Sequence, residues 1–554
     1  MFRKRNPQGS LFETSNLIPP SKAKRLKASW AEQFRTRALP LINEDLFAPM
    51  YSDVTGRPNR WVETVFGVHI LKEMFNLTDD EALEQLEYNL LWHHALRLTP
   101  EDAHLCQKTL HNFRARLMEH DLGRLAFEET TDRIIEALGL KVSRQRLDST
   151  HIVSNIAILT RLGLFCETIR VFLSKLKEEH ERLFGRVSES LRSRYVKEDD
   201  GEATRYGDAR SGVARRRLSV CARDLYRLCD LFKGTEAEKL EEYGLLERLL
   251  KEQCEVAGDK ERPSEDDDDS GEGGVPVILK EAKEVSSDSL QSPHDPDVTY
   301  SGHKGKGYEV QVSETCHEEN DVEIITLVEV TDSCGSDANA TLPTIESLAD
   351  RDIQPEELIA DTTYGSGSNA VEAERMGTEL ISPVSGNAPE TDCEEDGPLT
   401  PADFKIDAPY DRRTVCPAGS ESVDETEKEG NPNRIEVTFD KKTCEGCALF
   451  HRCPAKLNRE EDGYVLSIDL VAANIERRRR AEGSGEFEIR YAIRAGIEAT
   501  NSELKRGQGL GLLRIRGRPR VEVAVYLKAL ACNIKRMVRA LTAKSGEPVF
   551  AMAS

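Results

Sequence analysis

Apolar residues recur at helical spacing over most of the first 250 positions, and strand spacing resumes beyond 300 among further helical stretches. Leu162, Phe165, Ile169, Phe172, Leu176 and Leu183 fall three, four or seven apart, so they share one helical face. A similar pattern runs over 221–250. Upstream, 22–47 reads as a helix with a basic face. A longer helix is predicted over 61–75, after the turn residues Gly56-Arg57-Pro58-Asn59. Thr78 or Asp79 can cap the next helix, whose early Glu81 suits the helix dipole. A short helix with arginines follows at 109–117. Short helices with basic faces suit either a helix-turn-helix-like unit or a plain helical packing domain.

The period changes at 142–153, a predicted strand that carries Asp148. Tyr308, Val310 and Val312 alternate with Glu309, Gln311 and Ser313, and 322–330 is a second strand rich in β-branched residues. A helix is predicted over 340–351. Leu358-Ile359-Ala360-Asp361 is a short apolar strand ending in an aspartate and a glycine turn. Asn369, with Glu372 three residues on, predicts the cap of the following helix, and 380–384 reads as one more strand. Between these halves, 264–274 holds almost nothing to bury and reads as solvated linker. The order predicts an α/β sheet interrupted by insertions.

A chain of 554 residues implies about three or four domains. Hydrophobic content of 38% leaves enough to build cores and excludes a fully disordered chain. No apolar run approaches the roughly 18 residues of a membrane span. The basic N-terminus has no apolar stretch behind it, so the expected compartment is the cytoplasm. The net charge of −23 is unevenly spread. Residues 1–60 hold eleven Lys and Arg against five acids, 490–539 hold twelve against three, and the acids collect between, as at 265–269. A basic patch acts locally because screening confines its field to roughly 10 Å. The two basic ends therefore fit a nucleic-acid partner, or charge segregation for solubility alone. Gly302-His303-Lys304-Gly305-Lys306-Gly307 is a turn before a strand and not a phosphate-binding loop, so no nucleotide cofactor is indicated.

Most of the 13 cysteines, Cys106, Cys166, Cys221 and Cys532 among them, read as isolated buried thiols in a reducing compartment. Cys444, Cys447 and Cys453 are clustered, and Cys416 precedes them. Four thiols can complete a tetrahedral zinc site, remain reduced, or hold an iron–sulfur cluster. Arg514, Arg516 and Arg518 have the look of a minor-groove hook but precede an apolar helix-like run, so a basic loop contacting DNA backbone is the preferred reading. The arginines at 477–480 read as a phosphate contact or a solvated run. Asp295, Asp297 and Asp332 read as turn formers, and His151 as an ordinary strand histidine.

One segment carries most of the chemistry. On a helix at about 100° per residue, Tyr491, Arg494, Glu498 and Lys505 fall within a wedge of roughly 60°. Ile493, Ile497 and Leu504 form an adjacent apolar face, and Glu503 points elsewhere. By geometry alone this is either a functional stripe or a surface helix with ordinary ion pairing. The spacing Tyr491-x2-Arg494-x3-Glu498-x6-Lys505 resembles the Y-R-E-K signature of DDE transposases of bacterial insertion sequences. Leu147-Asp148-Ser149-Thr150-His151 resembles that family's first-aspartate strand, and Ile359-Ala360-Asp361-Thr362-Thr363-Tyr364-Gly365 its second-aspartate segment. The run from Gly509 to Arg536 is similar to the family's C-terminal end.

The resemblance implies an α+β and α/β multidomain chain built on an RNase H-like mixed sheet. A helical DNA-binding or dimerisation domain would occupy 1–135. The core would fall at 136–156 and 295–388, split by a helical insertion at 157–294 with an acidic loop near 259–275. A Cys-containing, zinc-ribbon-like insertion would fill 389–485, and the glutamate helix with basic C-terminal helices 486–554. Asp148, Asp361 and Glu498 would hold two Mg²⁺ or Mn²⁺ ions, since hard cations take oxygen ligands. Tyr491, Arg494 and Lys505 would contact the transposon-end backbone. The implied partners are double-stranded transposon-end and target DNA and a second copy in a synaptic homodimer, with no membrane and a nucleoid location. Two other functions fit the same residues: a nuclease that cleaves without joining, and a catalytically silent DNA-binding regulator.

Overall fold

The computed structural model describes residues 2–5, 10–52, 58–197, 203–208, 211–256, 277–386, 397–406, 413–428, 430–460 and 462–544. The acidic run at 265–269 lies outside them. At the centre is a mixed sheet. Its middle strand, β1 (Arg144–Ile152), pairs antiparallel with β2 (Gly305–Thr315), which pairs antiparallel with β3 (Ile325–Asp332). On the other side β1 pairs in parallel with β4 (Glu357–Ile359), and β4 with β5 (Glu379–Ile381). The order is β3-β2-β1-β4-β5, and a short strand Thr299–Ser301 folds back on the start of β2. This mixed α/β arrangement is compatible with an RNase H-like core. In the register of β1 on β2, Arg146 lies opposite Glu314 and Asp148 opposite Val312.

Both faces of the sheet are covered, which is why its strands are nearly continuous in buried residues. On one face Leu147 packs with residues of α8 (Thr341–Ala349) and α9 (Gly367–Arg375). On the other, Val310, Val312 and Val328 join a large core with α1 (Val62–Met74), α2 (Asp79–Tyr88), α3 (Gln107–Glu119), α4 (Leu122–Leu138) and the last helix, α13 (Arg518–Lys544). The helices before β1 thus share one apolar core with the sheet. Thr78 caps α2 in a capping box with Glu81. The single helix read over 22–47 is instead broken into Pro20–Lys27, Trp30–Gln33, a wide turn at Phe34–Ala38 and a tight one at Leu39–Leu41. Pro40 falls within that last turn and has no N–H to offer a continuing helix.

Between β1 and β2, α5 (Arg161–Glu179), α6 (Ser211–Phe232) and α7 (Glu241–Gln253) bury their apolar faces on one another in a separate core. Cys221 is buried there with its Sγ 3.7 Å from Cys166, so neither thiol is isolated. Cys106 is exposed, contrary to its reading as a buried thiol. The cap of α9 is Ser366, which accepts from the Asn369 N–H. Asn369 instead donates to the Ala338 and Tyr364 carbonyl oxygens. Asp295 is no surface turn former: it is fully buried and accepts from Ser154 Oγ and Tyr308 Oη, both at 2.6 Å.

The chain beyond β5 forms a second, four-stranded antiparallel sheet. Its order is Lys456–Leu457, Gly463–Asp469, Asn431–Asp440, Asp424–Lys428. It leads into α10 (Leu470–Glu482), which packs on α9, and then to α11 (Gly485–Ala492) and α12 (Gly496–Ser502). No described helix is long and apolar enough to cross a membrane.

Candidate active site

Asp148 lies on β1 with its side chain 11% exposed. Asp361 follows β4 and is 33% exposed, while Glu498 is in the first turn of α12 and is 64% exposed. Three segments far apart in sequence are brought together around one guanidinium. Arg494 Nη2 donates to Asp148 Oδ1 at 3.1 Å and lies 4.0 Å from Asp361 Oδ2, and its Nη1 is 3.9 Å from Glu498 Oε1. Asp361 also accepts from the Thr363 N–H, which fixes the turn after β4. Burial, opposed by Arg494 and reinforced by Glu498 and Asp361, raises the Asp148 carboxyl to about 6. The arrangement concentrates negative charge around the middle of β1 and already holds one cation.

The segment that carries the stripe is helical but not one α-helix. A tight turn at Ile493–Ala495 separates α11 from α12, and a wide turn at Glu503–Gly507 follows. Ile497 and Leu504 are buried, as the wheel predicts. Tyr491 stacks on Phe487 with ring centroids 5.6 Å apart and lies near Asp361 and Asp148. Lys505 stands close enough to His151 to oppose its protonation. Glu503 points away from the stripe but pairs with Arg536 at 3.0 Å and Arg539 at 3.6 Å.

Two residues of the site were missed. Asn501 is buried, and its Nδ2 donates to Asp148 Oδ2 at 3.1 Å. Its signal was available, because Ile497, Thr500, Asn501 and Leu504 share the inward stripe, where a polar pair needs partners. Lys304, in the hairpin before β2, reaches Glu309 at 2.5 Å and lies near Asp148. Nothing local in the sequence marks that approach.

The basic loop 508–517 runs beside the end of β1. The Leu513 N–H donates to the Val153 carbonyl oxygen at 2.8 Å and the Asn155 N–H to that of Ile515, also at 2.8 Å. Arg514 and Arg516 are exposed there. Arg518 is differently placed: it starts α13 and pairs with Asp332 and Glu522, each at 3.0 Å. The arginines at 477–480 are neither free nor merely solvated. Arg478 donates to the carbonyl oxygens of Gly365 at 2.9 Å and Ser382 at 2.8 Å, clamping the turn after Asp361. A Cβ on Gly365 would collide with Ser382 and crowd Arg478, so this docking needs glycine. Arg480 pairs with Asp403 at 2.6 Å.

Cys416, Cys444 and Cys453 border the small core of the second sheet. The Cys444 thiol is pushed up to about 11 by burial and by the neighbouring Cys453, Cys416 and Cys447. The Ser420 N–H donates to Cys416 Sγ and the Leu449 N–H to Cys447 Sγ, both at 3.4 Å. Among the described residues, no group of three or more His, Cys, Asp or Glu side chains stands in position to hold a metal ion.

The family model of a transposase DDE domain matches residues 415–538, and that of a transposase domain (DUF772) matches residues 27–116. The first spans the second sheet, the glutamate segment and most of α13; the second spans the helices from Trp30 through most of α3. No curated protein and no solved structure matches the chain. Both matches are to transposase domains, and the first includes Tyr491, Arg494, Glu498 and Lys505; together they support a DDE transposase of an insertion sequence.

Proposed function

We propose that the protein cleaves the ends of its element and joins the freed 3′-hydroxyl to target DNA, with Asp148, Asp361 and Glu498 of an RNase H-like core as the catalytic carboxylates. The observation that carries this reading is the single Arg494 guanidinium within 4.0 Å of all three carboxylates. A donor set of hard oxygens that already balances one positive group suits Mg²⁺ or Mn²⁺. Two such ions, when bound, activate the attacking oxygen and stabilise the leaving one. The chain's own part is to hold the carboxylates in register and to bring phosphate to them. Tyr491, Arg494 and Lys505 would contact the transposon-end backbone, Arg494 through forked donors that suit a phosphate once metal ions take over its carboxylates. Arg514 and Arg516 extend the basic surface, with Arg518 as a weaker candidate because its charge is already paired. The helices before β1 would engage transposon ends or a second copy of the chain. Cys416, Cys444, Cys447 and Cys453 would take structural zinc once drawn together, a reading supported by their spacing, by their place beside the second sheet and by the N–H donors at two of the sulfurs.

Glu498→Gln keeps size and removes one ligating charge. It is expected to abolish Mg²⁺-dependent nicking and joining of duplexes carrying the terminal sequences that flank the coding region, while end binding persists in a gel-shift assay. Lys505→Ala is expected to weaken end binding and to lower the salt slope by about one. A Glu498→Gln protein that still nicks and joins would refute the assignment. Wild-type protein that nicks but never joins pre-cleaved ends would favour a nuclease. Binding without either reaction would mark a silent regulator.

A further inference from the structure

Behind the carboxylates lies a buried ionic cluster outside the Y-R-E-K stripe. Glu314 on β2 is wholly buried and faces Arg146 on β1, in the register that sets Asp148 against Val312. Arg146 Nε donates to Glu314 Oε1 at 2.8 Å, and its Nη1 donates to the Ile493 carbonyl oxygen at 2.9 Å, at the entry to α12. A Cβ on Gly496 would collide with this guanidinium, so the helix can sit this close only because it starts with glycine. The Thr500 hydroxyl, two residues after Glu498, donates to Glu314 Oε2 at 2.6 Å. Arg536 on α13 closes the cluster, donating to Glu314 at 3.0 Å, to Thr500 Oγ1 at 2.5 Å and to Glu503 at 3.0 Å.

With Glu323 3.3 Å from Arg146 and Arg539 3.6 Å from Glu503 at its rim, three guanidiniums face three carboxylates, so the cluster is balanced in charge. Stability alone is a poor reason for it, because buried ion pairs roughly offset their own desolvation and apolar packing serves as well. What directional bonds add is register. Arg146 stands two residues before Asp148 and Thr500 two after Glu498, and both bond the same carboxylate. We propose that Glu314, with Arg146, Thr500 and Arg536, forms a set of positioning residues that fixes the spacing between Asp148 and Glu498. The proposal rests on the assignment of those two carboxylates to catalysis.

Thr500→Val removes the hydroxyl at nearly constant volume and takes away no charge, and Thr500→Ser keeps the hydroxyl. Full-length proteins are compared in Mg²⁺-dependent nicking of the flanking-end duplex, in Mn²⁺ affinity by titration calorimetry, in end binding and in melting temperature. Thr500→Val should slow nicking by about tenfold or more, as expected for sub-ångström misplacement of a reacting group, and should weaken Mn²⁺ binding. End affinity should not change, the melting temperature should fall by no more than the loss of buried hydrogen bonds explains, leaving the protein folded at the assay temperature, and Thr500→Ser should restore both lost properties. Wild-type nicking and Mn²⁺ affinity in Thr500→Val would overturn the proposal, as would an equal loss in Thr500→Ser. Glu498→Gln is run alongside: if it nicks, the carboxylate assignment has failed, and if it is inert while Thr500→Val is normal, only the positioning role has.

Discussion

Asp148 is held between Arg494 and Asn501 at the least exposed corner of the site, and burial is the largest influence on its carboxyl. Its value is raised from 3.8 to about 6, so the folded chain holds a proton that the unfolded chain has lost. Stability should therefore fall as pH rises through that window and level off above it. The cost of ionised Asp148 is at most about 3 kcal/mol. Asp148→Asn removes that titration. In metal-free buffer its stability relative to wild type, read from urea midpoints, should improve between pH 5 and pH 7.5, and a pH-independent difference would contradict this. At this scale residue type and spacing singled out Asp148, Asp361 and Glu498, which the fold gathers around Arg494. The sequence was silent where a polar side chain answers a distant partner. Asp295 reads as a turn former until Tyr308 and Ser154 are seen to enclose it.

The glutamate segment shows what a helical wheel can and cannot yield. It separated the apolar face from the charged stripe, because side-chain period survives short departures from α geometry. It could not show the tight turn at Ile493–Ala495, where a carbonyl is drawn off by Arg146 from another strand. It also made Glu503 look idle, although Arg536 and Arg539 engage it. The arginines of α10 failed the other way: a run of like charge reads as solvent-facing, yet Arg478 spends its donors on carbonyls beside Asp361. The cysteine-bearing sheet lies directly upstream of α10, so its integrity bears on that clamp. Purified protein is expected to carry one zinc per chain by elemental analysis, and Cys447→Ser is expected to lose it and to unfold the second sheet at lower urea concentration. Zinc-free protein of undiminished stability would leave these as ordinary thiols.

Across the molecule, the central sheet was legible as strands but not as one body with the N-terminal helices. Residues Val62–Met74 are buried on nearly every side, including Glu63, His69 and Glu73, a burden that a free-standing helical domain would not impose. The insertion between β1 and β2 is the opposite case, with a core of its own. A fragment covering 157–294 should therefore unfold cooperatively by circular dichroism, whereas a chain lacking 1–135 should expose the sheet face and aggregate. A soluble, cooperatively folded truncation would show that the shared core is dispensable. The same layout bears on synthesis. Asp148 and Asp361 leave the ribosome long before Glu498, and the arginine that closes the buried cluster, Arg536, is later still. A nascent or prematurely terminated chain therefore carries two of the three acids and lacks both Glu498 and the Arg494 guanidinium around which they gather.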